Sequence, residues 1–452
     1  MYLKTRYARN AVSRSLVVAV LIVIIVVAAT AVYVYYQQPQ PTTAKYVTIG
    51  LSIPTRFAVG QDAQAAADMA VSEINSKGGV VMNGTQYLLR TVTEDTNEMD
   101  WTIPVDQGLS ALDKLVSVDG AQIILGGVRT DVVVAQTAKL PQYKVVFVDV
   151  ESNQPISECM VRSAPKCPPT VKANYTAYKY YFHLFVNGTA IGPSLVQFPV
   201  ALRSYAKTQQ GWPNVNNVAI LGENALWTVG PVGRPAGNSS FVKALQAAGF
   251  NVVYKELFPL DTQDFSTYLS QIAASKAGLI VLFFSGTDGV SFAQQWRSYN
   301  WPNNTRPFVY GPGLLGGFSY FWDQSNGAAQ GMVPWPSTVN QSFTPKTVPF
   351  INAFTKKYGH TPNTMALDMY DAVYVVKQAM EMANSWKADK LIPALESLTY
   401  TGVIGTIHFT SQHGINLPQI PMYQQFGQWQ NGVLVPIWKT GQQNISSSII
   451  KP

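Results

Sequence analysis

The sequence predicts an α/β fold of two doubly wound parallel-sheet lobes behind one N-terminal membrane helix, and three observations predict it. Its 452 residues, 47% of them apolar, are too many for one compact core and suit two lobes of ordinary size. From Tyr46 onward, short apolar runs alternate with helical stretches of about ten or more residues, the pattern of βαβ units and a parallel sheet. Ahead of that pattern lies an uncharged aliphatic run, Leu16 to Tyr36.

That run would span about 30 Å, enough for the hydrocarbon core of a bilayer. Lys4, Arg6, Arg9 and Arg14 precede it, and positive flanks stay in the cytoplasm. The expected layout is a cytoplasmic basic segment (1–15), a transmembrane anchor (16–36) and a polar, Pro-containing spacer (37–45). The ectodomain would then sit on the extracellular face of a single-pass cell-membrane protein. Two other readings fit the same residues. One is a cleaved secretory signal, with Ala29-Thr30-Ala31 as the cleavage site. The other is an archaeal pilin-like signal, which the basic stretch with Ala11-Val12-Ser13 resembles.

An exterior location agrees with seven N-x-S/T sequons, at Asn83, Asn174, Asn187, Asn238, Asn303, Asn340 and Asn444, each a candidate glycosylation site. The two cysteines, Cys159 and Cys167, lie close together in a Pro-rich stretch. Paired in an oxidising compartment they would contribute about 2–3 kcal/mol; two free thiols are the alternative.

The first lobe opens with strand Tyr46 to Ile53 and helix Gln61 to Ser76, whose Ala66, Ala70 and Ile74 share one face and which stops at Gly78-Gly79. Strand Tyr87 to Thr93, helix Val105 to Ser117 and strand Gln122 to Leu125 follow. Helix Asp131 to Leu140 and strand Lys144 to Asp149 complete the set. After Pro169 a second set runs through helix Asn174 to Phe185, strand Val218 to Leu221, helix Ser239 to Ala248 and strand Val252 to Leu257. Helix Phe265 to Lys276, strand Leu279 to Phe284, helix Val290 to Tyr299 and strand Pro307 to Tyr310 end it. Doubly wound sheets bind ligands beyond the carboxyl ends of their strands, so the loops after these strands are where the chemistry is expected.

Several functions are disfavoured. The net charge is +7, but only 13% of residues are charged and no basic cluster occurs beyond the first fourteen positions, so the surface does not read as a nucleic-acid face. Two cysteines and four scattered histidines make no metal set. The run Gly311-Pro312-Gly313-Leu314-Leu315-Gly316 matches G-x-G-x-x-G literally, but Pro312 and the glycines after it do not open a clean helix, so it reads as a hinge loop. No G-x-S-x-G, P-loop or H-E-x-x-H motif is present, and no cofactor or enzymatic activity is expected.

Four collinear segments carry a resemblance: 49–80 (IGLSIPTRFAVGQDAQAAADMAVSEINSKGGV), 258–289 (FPLDTQDFSTYLSQIAASKAGLIVLFFSGTDG), 354–380 (FTKKYGHTPNTMALDMYDAVYVVKQAM) and 400–414 (YTGVIGTIHFTSQHG). Through them, residues 46 to 440 resemble the leucine/isoleucine/valine-binding family of ABC-transporter receptors. The resemblance implies a type I periplasmic-binding fold whose two lobes are joined by a three-strand hinge. Lobe 1 would take 46–165 and 309–403, lobe 2 170–306 and 404–440, and a tail 441–452. It implies a receptor that captures an amino acid or amide by hinge closure and delivers it to ABC permease and ATPase subunits. The alternative is a ligand-sensing ectodomain that partners a separate signalling protein.

Carried onto this chain, the family's solute site falls on six residues. Arg129 and Thr130 follow a strand at a helix start, where N–H groups and the dipole favour a carboxylate. Glu151 and Ser152 stand where the family has small or hydroxyl residues. Trp227 is placed to cover the solute, and Asp288 lies near the acidic position that receives an α-ammonium. Each has a plainer reading too: Arg129 or Glu151 at the surface, Trp227 in the core, Asp288 as a helix cap.

Overall fold

The computed structural model describes residues 23–28, 30 and 44–452, except 154–155, 166, 187, 210, 234–238, 287, 314 and 416. The chain divides into two units, Met1–Lys45 and Tyr46–Pro452.

The second unit holds two large sheets, parallel except at one edge of the first. The first is built from β1 (Tyr46–Ile53), β2 (Val80–Met82), β3 (Thr85–Asp95), β4 (Ile123–Gly126), β5 (Val146–Asp149) and β6 (Tyr181–His183), with β2 running antiparallel to β3 at that edge. Its helices are α1 (Ala58–Ser76), α2 (Val105–Ser117), α3 (Thr130–Tyr143) and the short α4 (Ile156–Val161) and α5 (Tyr175–Tyr178). The second sheet has β7 (Asn217–Glu223), β8 (Asn251–Phe258), β9 (Leu279–Phe283), β10 (Phe308–Pro312) and β11 (Val333–Trp335). α6 (Gly188–Ala206) precedes it, and between its strands run α7 (Leu226–Val232), α8 (Ser240–Ala247), α9 (Ser266–Ala274), α10 (Asp288–Ser298) and α11 (Ser319–Gln324). The chain then forms α12 (Thr347–Tyr358), α13 (Thr364–Ala383) and α14 (Ala388–Ser397), the two-residue strands β12 (Tyr400–Thr401) and β13 (Thr406–Ile407), and the hairpin β14 (Gln425–Gln430) and β15 (Val433–Lys439).

Strand orders are β2-β3-β1-β4-β5-β6 and β11-β10-β9-β7-β8. In each sheet the first long strand lies inside, buried along nearly its whole length, as a central parallel strand covered on both faces must be. The chain steps from β1 outward to β3 and then to β4 on the other side; β7 is flanked in the same way by β8 and β9. Each sheet therefore has a topological switch point, and crevices open at the carboxyl ends of strands there.

Four expectations are corrected. The single-pass membrane location is not sustained: among the described residues no helix is long and apolar enough to cross a membrane, which takes about 20 residues. Within Leu16 to Tyr36 only 23–28 and Thr30 are described, as helix, and the rest of that run lies outside the described residues. The helix expected over Asn174 to Phe185 is instead α5 followed by β6, whose Tyr181, Phe182 and His183 are all buried beside β5. The first sheet thus keeps the chain past the crossing expected at 162–170. The return expected at 309 also comes later, because β10 pairs with β9 and β11 with β10, so both belong to the second sheet.

α13 packs along α1 and brings the 347–398 segment to the first sheet. β14 bonds to the edge of the second through Gly331 N–H to Trp429 O and Trp429 N–H to Met332 O. The 441–452 tail is tied to the same hairpin by the Gln428 and Gln430 side chains, which donate to the carbonyls of Ile450 and Ser448. Five sequon asparagines, Asn83, Asn174, Asn303, Asn340 and Asn444, are exposed; Asn187 and Asn238 lie outside the described residues. Cys159 and Cys167 form a disulfide.

Candidate functional site

The carboxyl ends of both sheets meet at one cleft of about 520 Å³, open solvent included. Met99 and Trp101 enter it from the loop after β3, Val128, Arg129 and Thr130 from the loop after β4, and Glu151 and Asn153 from the loop after β5. Phe185 follows β6. Across the cleft stand Trp227 and Ser285, after β7 and β9, with Gly313, Trp335 and Pro336 after β10 and β11. The β4 loop turns sharply because Gly126 and Gly127 take φ +144° and +90°. At Gly126 a Cβ would lie 2.0 Å from Ser52 O, so only glycine lets the backbone pass β1 and start α3.

Arg129 is buried, but its guanidinium is already committed. Nε meets Asp131 Oδ1 at 2.7 Å, and Nη1 lies 3.2 Å from the carbonyl of Ile103 and 3.4 Å from those of Glu98 and Asp100. The group also covers the Trp101 ring at 5.3 Å. Arg129 therefore fastens the 98–103 loop that carries Trp101 into the cleft. Thr130 is the first residue of α3, and the N-cap position is Arg129, with no side-chain capping bond. The helix start still presents first-turn N–H groups that lack intrahelical partners.

Glu151 lines the cleft at 4% exposure. Its Oε1 is 3.5 Å from Thr364 Oγ1, and Oε2 has no partner. Burial first, then the neighbouring Asp368 and Asp149, push its carboxyl well above the usual range. Ser152 turns away: its hydroxyl and backbone N–H both donate to Asp149. Trp227 is half-buried on the cleft wall, and its Nε1 donates to Glu223 Oε1 at 2.6 Å. Asp288 is buried at the start of α10, where Oδ1 accepts from Gly289 N–H at 2.8 Å. Burial and then Glu223 push its pKa up to about 8. Arg129, Thr130, Glu151 and Trp227 thus share one cleft, whereas Ser152 and Asp288 stand outside its lining.

Behind the Glu151 loop lies a buried polar network. His183 places Nδ1 2.6 Å from Glu158 Oε1 and Nε2 2.7 Å from Ser152 O. Both ring nitrogens face acceptors, so both must carry protons. Burial lowers the imidazole pKa, but Asp149 and the Glu158 hydrogen bond overcome that and raise it to about 9. Tyr181 OH donates to Asp149 Oδ2 at 2.6 Å. Among the described residues no group of three or more His, Cys, Asp and Glu is arranged to hold a metal.

Sequence reasoning missed most of the apolar wall: Met99, Trp101, Phe185 and Trp335. Trp101 had a usable signal, since it lies in the loop between the predicted strand Tyr87 to Thr93 and the predicted helix Val105 to Ser117. Trp335 had none, because β11 is only three residues long.

Two α/β halves with both switch points turned to one cleft define a class of protein that holds a small solute between its halves. The chain belongs to the periplasmic binding protein family, which residues 47–428 match. It is similar to the Leu/Ile/Val-binding protein homolog 8 of Brucella melitensis, 21% identical over 394 residues that make up 84% of this chain and 86% of that one. The structure of a putative branched-chain amino acid ABC transporter from Silicibacter pomeroyi superposes with a TM-score of 0.66 at 18% identity, covering 89% of this chain and all of that one. An R. palustris solute-binding protein in complex with benzoate gives 0.65 at 15% identity, over 86% of this chain and 95% of that one.

Proposed function

We propose that the chain is the solute receptor of an ABC importer, working outside the cytoplasm and capturing an amino-acid-like solute by closing its two halves. The observation that carries this is the cleft itself, built from the carboxyl-end loops of both sheets and floored by the start of α3. A solute carboxylate suits the first-turn N–H groups at Thr130 and Asp131, where the helix dipole adds to the attraction. The acidic residues Glu151 and, behind the wall, Asp288 suit an ammonium. Trp227 then covers the solute from the second half, and Ser152 and Arg129 hold the loops that frame it. The disulfide Cys159–Cys167 agrees with an oxidising compartment. The receptor would pass its solute on to permease and ATPase subunits.

Isothermal titration of the purified chain with amino acids, amides and small carboxylates tests this. One solute should bind with 1:1 stoichiometry and be recovered chemically unchanged. Chemical turnover of the bound solute, or no binding across that panel, would overturn the proposal.

A further inference from the structure

The cleft contains a buried acid with nothing to pair it. Glu151 Oε2 has no hydrogen-bond partner although the residue is 4% exposed and faces the cleft. A buried ionised carboxylate without a partner is costly, so the group is either protonated or waiting for a cation. The described residues supply none. Arg129 is spent on Asp131 and three carbonyls, and His183 on Glu158 and the Ser152 carbonyl. The other groups around Glu151 add negative charge or are neutral: Asp149 ends β5, Asp368 comes from α13 with Oδ1 also unpartnered, Thr364 opens α13, and Tyr423 donates to Asp368.

We propose that the solute carries an organic cationic group other than an α-ammonium, a side-chain or quaternary ammonium or a guanidinium, that seats on Glu151 between the aromatic walls made by Trp101, Trp227 and Trp335. Aromatic faces attract cations, most strongly when water is excluded, so these walls and the carboxylate select the same charge. An organic cation fits better than a metal ion, because no three-ligand set is present among the described residues. A neutral aliphatic side chain or a benzoate ring would leave Glu151 Oε2 facing carbon. The inference rests on the solute-receptor reading and narrows its solute from amino-acid-like to cationic. It also sets a proton balance: burial and the acids beside Glu151 favour its protonated form in the empty cleft, so cation binding is expected to release a proton.

Calorimetric titration of the full chain with lysine, arginine, choline, leucine and benzoate tests it, run in two buffers of different ionisation heat. At least one cation should bind about tenfold or more tighter than leucine and benzoate, with one proton released. Glu151→Gln should weaken that cation at least about tenfold and abolish the proton release, while the variant melts no lower than the parent. Trp101→Leu, a second variant that leaves the carboxyl in place, should weaken the cation and keep the proton release. Leucine or benzoate binding as tightly as every cation, or cation affinity unchanged in Glu151→Gln, would overturn the inference and leave the receptor reading standing. Binding of none of the five would overturn the inference, and the receptor reading falls with it only when the wider panel of amino acids, amides and carboxylates also fails to bind.

Discussion

At the scale of single residues, Arg129 and His183 are charges that face inward and are answered by the protein itself. Arg129 joins backbone carbonyls to Asp131 and to the Trp101 ring, so removing it would free a cleft wall as well as a charge. His183 is the clearest case. Its two N–H groups hold Glu158 and the Ser152 carbonyl, which keeps the 150–153 loop and Glu151 in place. With a pKa of about 9 in the folded chain and about 6.5 unfolded, the imidazole contributes stability that is fully present below pH 6.5. That contribution is lost as pH rises through 9, because the unfolded chain gives up its proton first. Chemical denaturation at pH 6, 7.5 and 9 should show wild-type stability falling by a few kcal/mol from this group, on the order of 1.4 kcal/mol per pKa unit. His183→Gln should start less stable and lack that fall. An equally steep fall in the variant would assign the pH dependence to other groups.

At the scale of elements, the long periodic segments were legible and the short ones were not. β1 was read from Tyr46 to Ile53, as observed, because a strand buried on both faces is a continuous apolar run that needs no partner to be recognised. α1 begins three residues before its predicted start and ends where predicted. β6, β11 and the β12–β13 pair are two or three residues long, too short for any periodicity, and exist only because a neighbouring strand supplies hydrogen bonds. The same limit hid half the site. Trp101 and Trp335 owe their place to the loops that carry them, and Glu151 looks like an ordinary surface acid until burial is known. One crossover shows how closely such joints are built. Asp371 of α13 accepts the N–H groups of Val403 at 2.8 Å and Ile404 at 3.0 Å, and a Cβ on Gly402 would lie 2.1 Å from Asp371 Oδ2. The carboxylate cannot move aside without stranding two buried donors. Gly402→Ala should therefore destabilise the chain by about 1–3 kcal/mol in urea denaturation, the usual range for overpacking a core position. An unchanged midpoint would mean that the crossover yields freely.

At the scale of the whole second unit, the proposed receptor function has the two halves meet over the solute, and the loops that would meet are identifiable. Trp101, carried by the β3 loop of the first sheet, reaches the β9 loop of the second: a Cβ on Gly286 would sit 3.4 Å from Trp101 Nε1 and 3.3 Å from Asp288 Oδ1. An alanine would just fit there, whereas a ring would not. Gly286 does not adopt the left-handed backbone that resists side chains, so a larger residue can be introduced without backbone strain. Gly286→Phe should then act as a wedge between the β3 and β9 loops. The halves fold as before, so the melting temperature of the empty chain should stay within about 2 °C, the change expected for about 1 kcal/mol in a half of this size. Closure would be obstructed, and solute affinity should fall at least about tenfold, or about 1.4 kcal/mol. The stabilisation that solute confers by mass action, about 2.7 kcal/mol at a hundredfold excess over Kd, should shrink in step. Small-angle scattering separates this from a local loss of contacts, because the wild-type radius of gyration should contract on adding solute and that of the wedged variant should not. If the variant contracts like the wild type and keeps its affinity, the cleft does not work by closing at this contact.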